Sequence, residues 1–158
     1  MTVTRHVKPG ERPQTDAGYL EMLTKVIFMG GLNRAVVENK WPGFLDAFAG
    51  FEPARVAEFG EEEIERLAED ERIIRYGAKL RAVAGNARVM SDLAAQHGSF
   101  GQWLRDSVAQ DGWGQTAAEM ARIFSYVSEA SARNFLYAVG EDVGEVSSEI
   151  ERKYGPVN

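Results

Sequence analysis

The amino-acid sequence predicts an all-α protein, and three observations support this fold class. Apolar residues recur at three- and four-residue steps along most of the chain, which is the spacing of amphipathic helices. No segment has the alternation of apolar and polar residues that is typical of a strand, and no internal repeat is present. The chain has 158 residues, of which 44% are hydrophobic and 27% charged, an ordinary composition for one globular domain.

The helices are expected to form one domain over residues 16–158, preceded by an irregular arm over residues 1–15. The first helix is expected to start at Asp16, whose side chain can cap it, and to end at Gly30-Gly31. The second is expected to stop at Trp41-Pro42-Gly43. The other predicted segments of the first half share helical spacing and are residues 32–40, 44–51, a short helix opened by Pro53, 61–68 and 77–95.

The second half is expected to contain further helices separated by short connections. Ser99 is predicted to cap the first of them. The remaining predicted features, in chain order, are a loop at 111–114, a cap at Thr116, a tight connection at 125–128, a cap at Ser128, a helix end at Val139 and an acidic helix that ends at about Lys153.

The composition excludes several kinds of site. The chain contains no cysteine, which excludes disulfide bonds and thiolate metal ligands. His6 and His97 are the two histidines and lack metal-binding spacing, so we expect no metal and no cofactor. No apolar run approaches the roughly 20 residues of a membrane span, and no signal-peptide core is present. We therefore expect no membrane partner and a cytoplasmic location, while the sequence does not indicate an oligomeric state.

Charged residues are segregated around residue 71. Eight acidic residues lie between Glu58 and Glu71, and they face one cation, Arg66. The cations that follow have no acid among them and are Arg72, Arg75, Lys79, Arg81 and Arg88. Because the formal net charge is −6, affinity for nucleic acid must come from a local patch, and this basic strip is a candidate for contacting phosphate. The alternative interpretation is a helix with a solvated charged face.

Four segments in the middle of the chain carry a specific pattern. They are FLDAFAGFEPARVA at residues 44–57, DERIIR at 70–75, KLRAVAGNAR at 79–88 and GSFGQWL at 98–104. In order and spacing they resemble segments of the DNA-3-methyladenine glycosylase I family, which belongs to the helix-hairpin-helix DNA glycosylases. Weaker matches extend the resemblance over most of residues 16–142.

The resemblance implies a helix-hairpin-helix DNA glycosylase-like fold in a single helical domain, with double-stranded DNA as the partner. Proteins of this family flip a damaged base out of the duplex and hydrolyse its N-glycosidic bond, the first step of base-excision repair. A positively charged alkylated base is already a good leaving group, so the pocket mainly stacks the ring, excludes ordinary bases and stabilises charge. The implied substrates are alkylated bases of the 3-methyladenine type.

The resemblance also places a base pocket, and here the chain departs from the family pattern. The family's base-reading glutamate falls on Val26, and the tryptophan of its loop falls on Arg34. A valine cannot hydrogen-bond to a purine edge. Tyr19 and Phe28 complete the expected pocket as stacking rings, although aromatic residues at helical spacing are usually core. The family's zinc-binding cysteines are absent, so the expected pocket is zinc-free.

Glu38 and Glu21 are the candidate catalytic residues. Glu38 is close in sequence to the pocket position that lost its glutamate, and Glu21 lies on the preceding helix. Either carboxylate can serve as a general base or stabilise a developing cation. The alternative is that both are solvated side chains on helix surfaces.

Two candidate DNA-binding groups lie in the first half of the chain. By resemblance, Met29, Gly30, Gly31 and Leu32 form the loop that wedges into the duplex, since an apolar tip on a glycine-rich loop suits intercalation. The alternative is a helix break with Leu32 in the core. The second group, Arg72, Arg75 and Lys79, is expected to bind phosphate near a helix N-terminus, unless these cations pair with Glu69, Asp70 and Glu71.

A third candidate lies at the predicted hairpin. Ser128, at the start of a helix, is expected to help hold a phosphate together with Arg133. Glu129 in the first turn competes with an anion there, and the alternative is an ordinary capped helix.

Three functional hypotheses follow from the sequence. The first is a DNA glycosylase that acts on alkylated bases through a divergent, zinc-free pocket. The second is a catalytically inactive relative that binds DNA or a damaged base, and the third is a helical protein-interaction module. The sequence does not indicate which lesion is recognised.

Overall fold

The computed structural model describes residues 8–156 and is helical, with no strand in that range. The helices are α1 (Asp16–Met29), α2 (Arg34–Ala47), α3 (Pro53–Val56), α4 (Glu61–Ala68), α5 (Gly77–His97), α6 (Phe100–Asp111), α7 (Trp113–Ile123), α8 (Glu129–Ala138) and α9 (Ser148–Tyr154). A 3-10 turn at Ala49–Phe51 joins α2 to α3. The all-α prediction is confirmed. Within the described range, no helix is both long and apolar enough for a bilayer crossing.

Helix α1 is the centre of the molecule. Every residue from Ala17 to Met29 is buried, and the helix packs on α2, α5, α6 and α8. A helix that is apolar on all sides is stable only where other elements surround it. The positions of the remaining helices therefore follow from the need to cover α1.

The start of α1 also fixes the start of α6. Thr15, rather than Asp16, caps α1 by accepting a hydrogen bond from the Gly18 amide. The Asp16 carboxylate instead accepts hydrogen bonds from the backbone N–H groups of Phe100 at 2.8 Å and Gly101 at 3.1 Å. The prediction that Asp16 caps its own helix is wrong, because its side chain serves the unpaired amides of a distant helix.

Helix α2 continues through the predicted stop at Trp41-Pro42-Gly43. Its proline removes one helical hydrogen bond, but the rings of Trp41 and Phe44 stack at 4.9 Å on the buried side. Gly43 is required because a Cβ there would lie 2.5 Å from the carbonyl oxygen of Arg72. Burial of the aromatic face outweighs the lost bond, so the predicted boundary at residue 40 is wrong.

The connection between α6 and α7 is shorter than predicted. Gly112 ends α6 with a φ of 87°, and α7 begins at Trp113. Thr116 is not a cap, because it is buried within α7. Its hydroxyl donates to the carbonyl oxygen of Gly112 at 3.0 Å and lies 2.7 Å from that of Ser107. The caps predicted at Ser99 and Ser128 are confirmed, since each accepts from an amide three residues later.

Residues 8–15 lie against the end of α8 without forming a helix. The amide of Gly10 donates to the carbonyl oxygen of Ala138 at 2.6 Å, and Arg12 pairs with Glu141 at 2.8 Å. Residues 1–7 of the predicted arm lie outside the described residues. The division into an arm and one helical domain stays a prediction.

Candidate functional site

A cleft of about 530 Å³ opens between the C-terminal half of α1 and the α7–α8 turn, which comprises residues 124–128. The residues that shape it are Val26, Ile27, Lys79, Phe124, Tyr126 and Ser128. Most of these side chains are apolar or aromatic, and Lys79 supplies the positive charge. Such a concave, mostly apolar site with a few polar groups is typical of small-molecule or base binding.

The α7–α8 turn is held in place by Asn86, a side chain of α5 that is 1% exposed. Its amide group donates to the carbonyl oxygen of Ser125 at 3.1 Å and accepts from the Ser125 amide at 2.8 Å. The next residue, Tyr126, has a φ of 60°. A non-glycine residue seldom adopts this left-handed conformation, so the two hydrogen bonds fix an unusual turn.

The sequence did not single out two tyrosines near the cleft, Tyr126 in its lining and Tyr76 beside the lining residue Lys79. Tyr76, just before α5, is 51% exposed, and Tyr126 is 49% exposed. Their rings meet edge to face, with centroids 6.3 Å apart and an interplanar angle of 79°. We call them the tyrosine pair. The positions of these two residues in the sequence do not predict their contact, because they lie on different structural elements.

Lys79 lines the cleft and caps the C-terminal end of α1. Its ammonium group donates to the carbonyl oxygens of Ile27 at 3.0 Å and Gly30 at 3.3 Å. It also lies 5.4 Å from the ring centre of Tyr76. Burial lowers the pKa of Lys79, while the two carbonyl oxygens favour its charged form. An ammonium has three protons, so one remains available to a ligand.

The amino-acid sequence of this chain matches a known family. A sequence model described as methyladenine glycosylase matches residues 8–137. The chain belongs to the methyladenine glycosylase family. Over 77 residues it is 39% identical to DNA-3-methyladenine glycosylase 1 of Escherichia coli K12, a match that covers 48% of this chain and 41% of that relative.

Solved structures of the family share the fold. A crystal structure of 3-methyladenine DNA glycosylase I superposes with a TM-score of 0.75 at 23% identity, covering 84% of this chain and 83% of that one. A Staphylococcus aureus 3-methyladenine DNA glycosylase I, solved to explain recognition of 3-methyladenine, gives a TM-score of 0.77 at 21% identity, covering 86% and 82%. The predicted helix-hairpin-helix glycosylase-like fold is confirmed.

Of the four predicted pocket residues, Val26 lines the cleft and the other three lie elsewhere; the role of Val26 in a base pocket stays a prediction. Tyr19 is buried against the rings of Phe100 and Phe135. Phe28 is buried in the core, and Arg34 donates to the backbone carbonyls of Arg152 and Gly155 at the end of α9. Tyr19, Phe28 and Arg34 therefore do not line this cleft, because helix packing turns these side chains away, and their role in a base pocket stays a prediction.

Neither candidate catalytic carboxylate lines the cleft. Glu21 is 2% exposed and accepts a hydrogen bond from the indole N–H of Trp41 at 3.0 Å. Glu38 pairs with Lys25 at 3.0 Å and lies 3.8 Å from Arg34. Among the described residues that line the cleft there is no carboxylate. The predicted catalytic role of Glu21 and Glu38 has no support from their positions.

A family-type structural zinc does not fit this chain. The chain has no cysteine to supply thiolate ligands, and it has two histidines. Within residues 8–156, no three potential ligand side chains come together in a way that could hold a metal ion.

The predicted wedge loop has no apolar tip. Met29 is 2% exposed because α1 extends through it and turns its side chain into the core. Leu32 is partly buried and packs against the core as well. Gly30 and Gly31 remain exposed, so backbone rather than a side chain faces solvent. Met29 as an exposed intercalating residue is a wrong prediction.

Arg72 is occupied by carboxylates. Its guanidinium binds Asp70 at 2.7 Å and Asp46 at 2.5 Å, and these contacts raise the pKa of Arg72. Because the aspartates sit on the exposed surface, such pairs contribute about 0–1 kcal/mol each to stability. The predicted phosphate contact by Arg72 competes with two acids already in place.

Most other cations of the basic strip are also bound within the protein. Arg81 pairs with Glu61 at 3.0 Å, and Arg88 donates to backbone carbonyls that follow α3. Arg75 is exposed and forms no hydrogen bond or ion pair with residues 8–156. The strip predicted from sequence therefore reduces to Arg75 and the partly engaged Lys79, because carboxylates hold Arg72 and Arg81 and backbone carbonyls hold Arg88.

The predicted phosphate site at α8 is a self-contained cap. The hydroxyl of Ser128 accepts from the Ser131 amide at 3.1 Å, and that of Ser131 accepts from the Ser128 amide at 2.8 Å. Arg133 donates to the carbonyl oxygens of Val143 and Glu145 and lies over the ring of Trp113. The capped-helix alternative describes Ser128, and the guanidinium of Arg133 is engaged within the protein, so its phosphate contact stays a prediction without support from its position.

Replacing Asn86 with alanine is expected to lower the free energy of unfolding by about 1–3 kcal/mol, because it removes two hydrogen bonds from a buried side chain. Urea denaturation measures the change. Asn39→Ala, at an exposed position of α2, is the matched control and should change stability by less than about 0.5 kcal/mol. Equal stability of both variants would contradict a stabilising role for the hydrogen bonds between Asn86 and Ser125.

Replacing Tyr19 with phenylalanine is expected to leave stability equal or higher. The Tyr19 hydroxyl is buried and has no hydrogen-bond partner at normal geometry, although the charge of Arg105 lies near it. Burial raises the pKa of Tyr19, so the unfolded chain loses this proton first and stability falls as pH rises above about 10.

Urea midpoints measured at about pH 8 and about pH 10.5 test this expectation. The Tyr19→Phe variant should lose less stability between the two values than the wild type. A loss above about 1 kcal/mol at the lower pH would mean that the hydroxyl has a partner.

Proposed function

We propose that this protein is a DNA glycosylase of the 3-methyladenine type, which receives an alkylated base from double-stranded DNA in the cleft between α1 and the α7–α8 turn. The observation that carries the proposal is the cleft itself, with a volume of about 530 Å³, in a chain of the methyladenine glycosylase family. Enzymes that act on a base within a duplex need a pocket of this kind, since the target atom is inaccessible in the stack.

The lining of the cleft suits a reaction in which the base needs little help to leave. An N-alkylated purine carries a positive charge, so it departs with the electron pair of the glycosidic bond and becomes neutral. Water then adds to C1′ of the resulting sugar cation and releases one proton to solvent. Val26 cannot hydrogen-bond to the base, and the described lining offers no carboxylate. Shape, stacking and exclusion of bulk water are the contributions that remain.

Contact with the duplex is supported by a small cationic area. Arg75 is exposed beside Tyr76, and Lys79 lies at the cleft. On a protein with a formal net charge of −6, these side chains supply local positive charge beside the cleft that can attract phosphate. Binding through few phosphate contacts is expected to be weak and to fall with salt.

The decisive experiment measures free bases released from methylated duplex DNA. We expect 3-methyladenine to appear faster than by spontaneous loss. Ala121→Trp, which places an indole in the cleft, should reduce the rate by about tenfold or more, because it removes space for the base. Ala130→Trp, on an exposed part of α8 outside the cleft, is the control and should keep the wild-type rate.

No release by the wild type would contradict the glycosylase proposal. Retained, salt-dependent binding of the methylated duplex would then identify an inactive DNA-binding relative, and absence of any DNA binding would identify an interaction module.

Replacing Arg75 with glutamate is expected to weaken duplex binding and to reduce the slope of log K against log salt by about 1, as loss of one phosphate contact requires. Fluorescence anisotropy of a labelled duplex at several salt concentrations measures both quantities. Arg55→Glu, at an exposed position of α3, carries the same change of charge outside the cleft and is the control. Identical salt slopes for the two variants would exclude Arg75 from the interface.

A further inference from the structure

Exposed aromatic surface is concentrated at the cleft. In the part of the chain that the structure describes, the large hydrophobic side chains classed as exposed are Val36, Tyr76 and Tyr126. The tyrosine pair accounts for two of these three. Tyr126 lines the cleft, while Tyr76 contacts the Tyr126 ring and lies beside the ammonium group of Lys79. Exposed aromatic residues gathered beside a concave site mark a binding surface more often than single exposed residues do.

Folding alone does not account for a tyrosine at position 126. Its φ of 60° is a left-handed conformation that costs a residue with a Cβ free energy, and glycine adopts it without that cost. Tyr126 is 49% exposed, so it gains less from burial than a core tyrosine does to offset the backbone strain. A strained, half-exposed ring at the edge of a cleft is therefore explained better by ligand contact than by packing.

The ring of Tyr126 is held in a fixed position. Asn86 binds both backbone groups of Ser125, the preceding residue, and Tyr76 contacts the ring edge to face. Tyr76 in turn lies beside the ammonium group of Lys79. Because these contacts restrain the turn and the ring before any ligand arrives, little conformational entropy is lost on binding.

The chemistry of the cleft limits what the ring can recognise. Flat heterocyclic bases stack on tyrosine faces, and a cationic alkylated base gains a further attraction to the ring. Hydrogen-bonding readout by a carboxylate is not offered by the described lining. Stacking is thus the main source of base affinity that the cleft presents.

We propose that Tyr126, braced by Tyr76, is the stacking wall against which the extruded base lies in the cleft. This inference rests on the proposed function, because it assigns a residue role to the same site. Tyr126 contacts the base directly, and Tyr76 is a positioning residue that acts through the Tyr126 ring.

The test uses the full-length protein and free 3-methyladenine as the probe, with affinity measured by titration calorimetry. Tyr126→Gly removes the ring and suits the left-handed backbone, so its thermal midpoint should stay within a few degrees of the wild type. Loss of one stacked base should weaken binding about five- to a hundredfold. Tyr126→Phe keeps the aromatic face and should bind as the wild type does.

A second measurement reports the stacking geometry. The methyl protons of bound 3-methyladenine should show an upfield ring-current shift with the wild type and with Tyr126→Phe, and this shift should be lost with Tyr126→Gly. Tyr76→Ala should give a smaller loss of affinity than Tyr126→Gly and a reduced shift. Val36→Ala, the exposed hydrophobic residue outside the pair, is the matched control and should change neither quantity.

The outcomes separate this inference from the proposed glycosylase function. Unchanged affinity and unchanged methyl shift in Tyr126→Gly would overturn the stacking role even if the wild type releases bases from DNA. No binding of 3-methyladenine by the wild type would overturn it as well. Ring-dependent binding in a protein that releases no base would support the stacking wall while contradicting the glycosylase proposal.

Discussion

The architecture depends on the complete burial of α1. A helix surrounded on all sides cannot leave its terminal amide and carbonyl groups to water, so other parts of the chain must satisfy them. Thr15 does so at the start, and Lys79 does so at the end by binding the carbonyl oxygens of Ile27 and Gly30. The second contact brings α5 to the carboxyl end of α1, beside the α7–α8 turn. The cleft is the space left where these three elements meet.

The need to satisfy backbone carbonyl oxygens also explains where several cationic side chains of the protein lie. Arg34, Arg88 and Arg133 each donate to backbone carbonyl oxygens at the ends of distant segments, and Lys79 does the same for α1. A guanidinium that fixes the end of an element cannot also hold a phosphate without releasing it. These four cations therefore have little capacity left for phosphate, and under the proposed function recognition in the cleft would depend more on shape and aromatic surface than on charge.

Local sequence rules predicted the helices and caps well where neighbours within one turn decide the structure, as at Ser99 and Ser128. They failed where distant packing decides, as in α2, which continues through Pro42 because its aromatic face is buried. The candidate site shows the same contrast between features that the sequence predicts and features that distant packing decides. Val26, which the family resemblance assigned to the base pocket, lies in the cleft between α1 and the α7–α8 turn, and its role there stays a prediction. Contacts such as that between Tyr76 and Tyr126 have no signature in spacing, so the sequence did not reveal them.

The packing of residues 8–12 against the end of α8 has a consequence for folding during synthesis. The hydrogen bond from Gly10 to Ala138 and the ion pair between Arg12 and Glu141 join positions almost at opposite ends of the chain, the second pair being 129 residues apart. Closing so long a loop is slow compared with forming local helices. On the ribosome, residues 10–12 therefore stay without these partners until residues 138–141 have been synthesised, and chaperones can reach them until then.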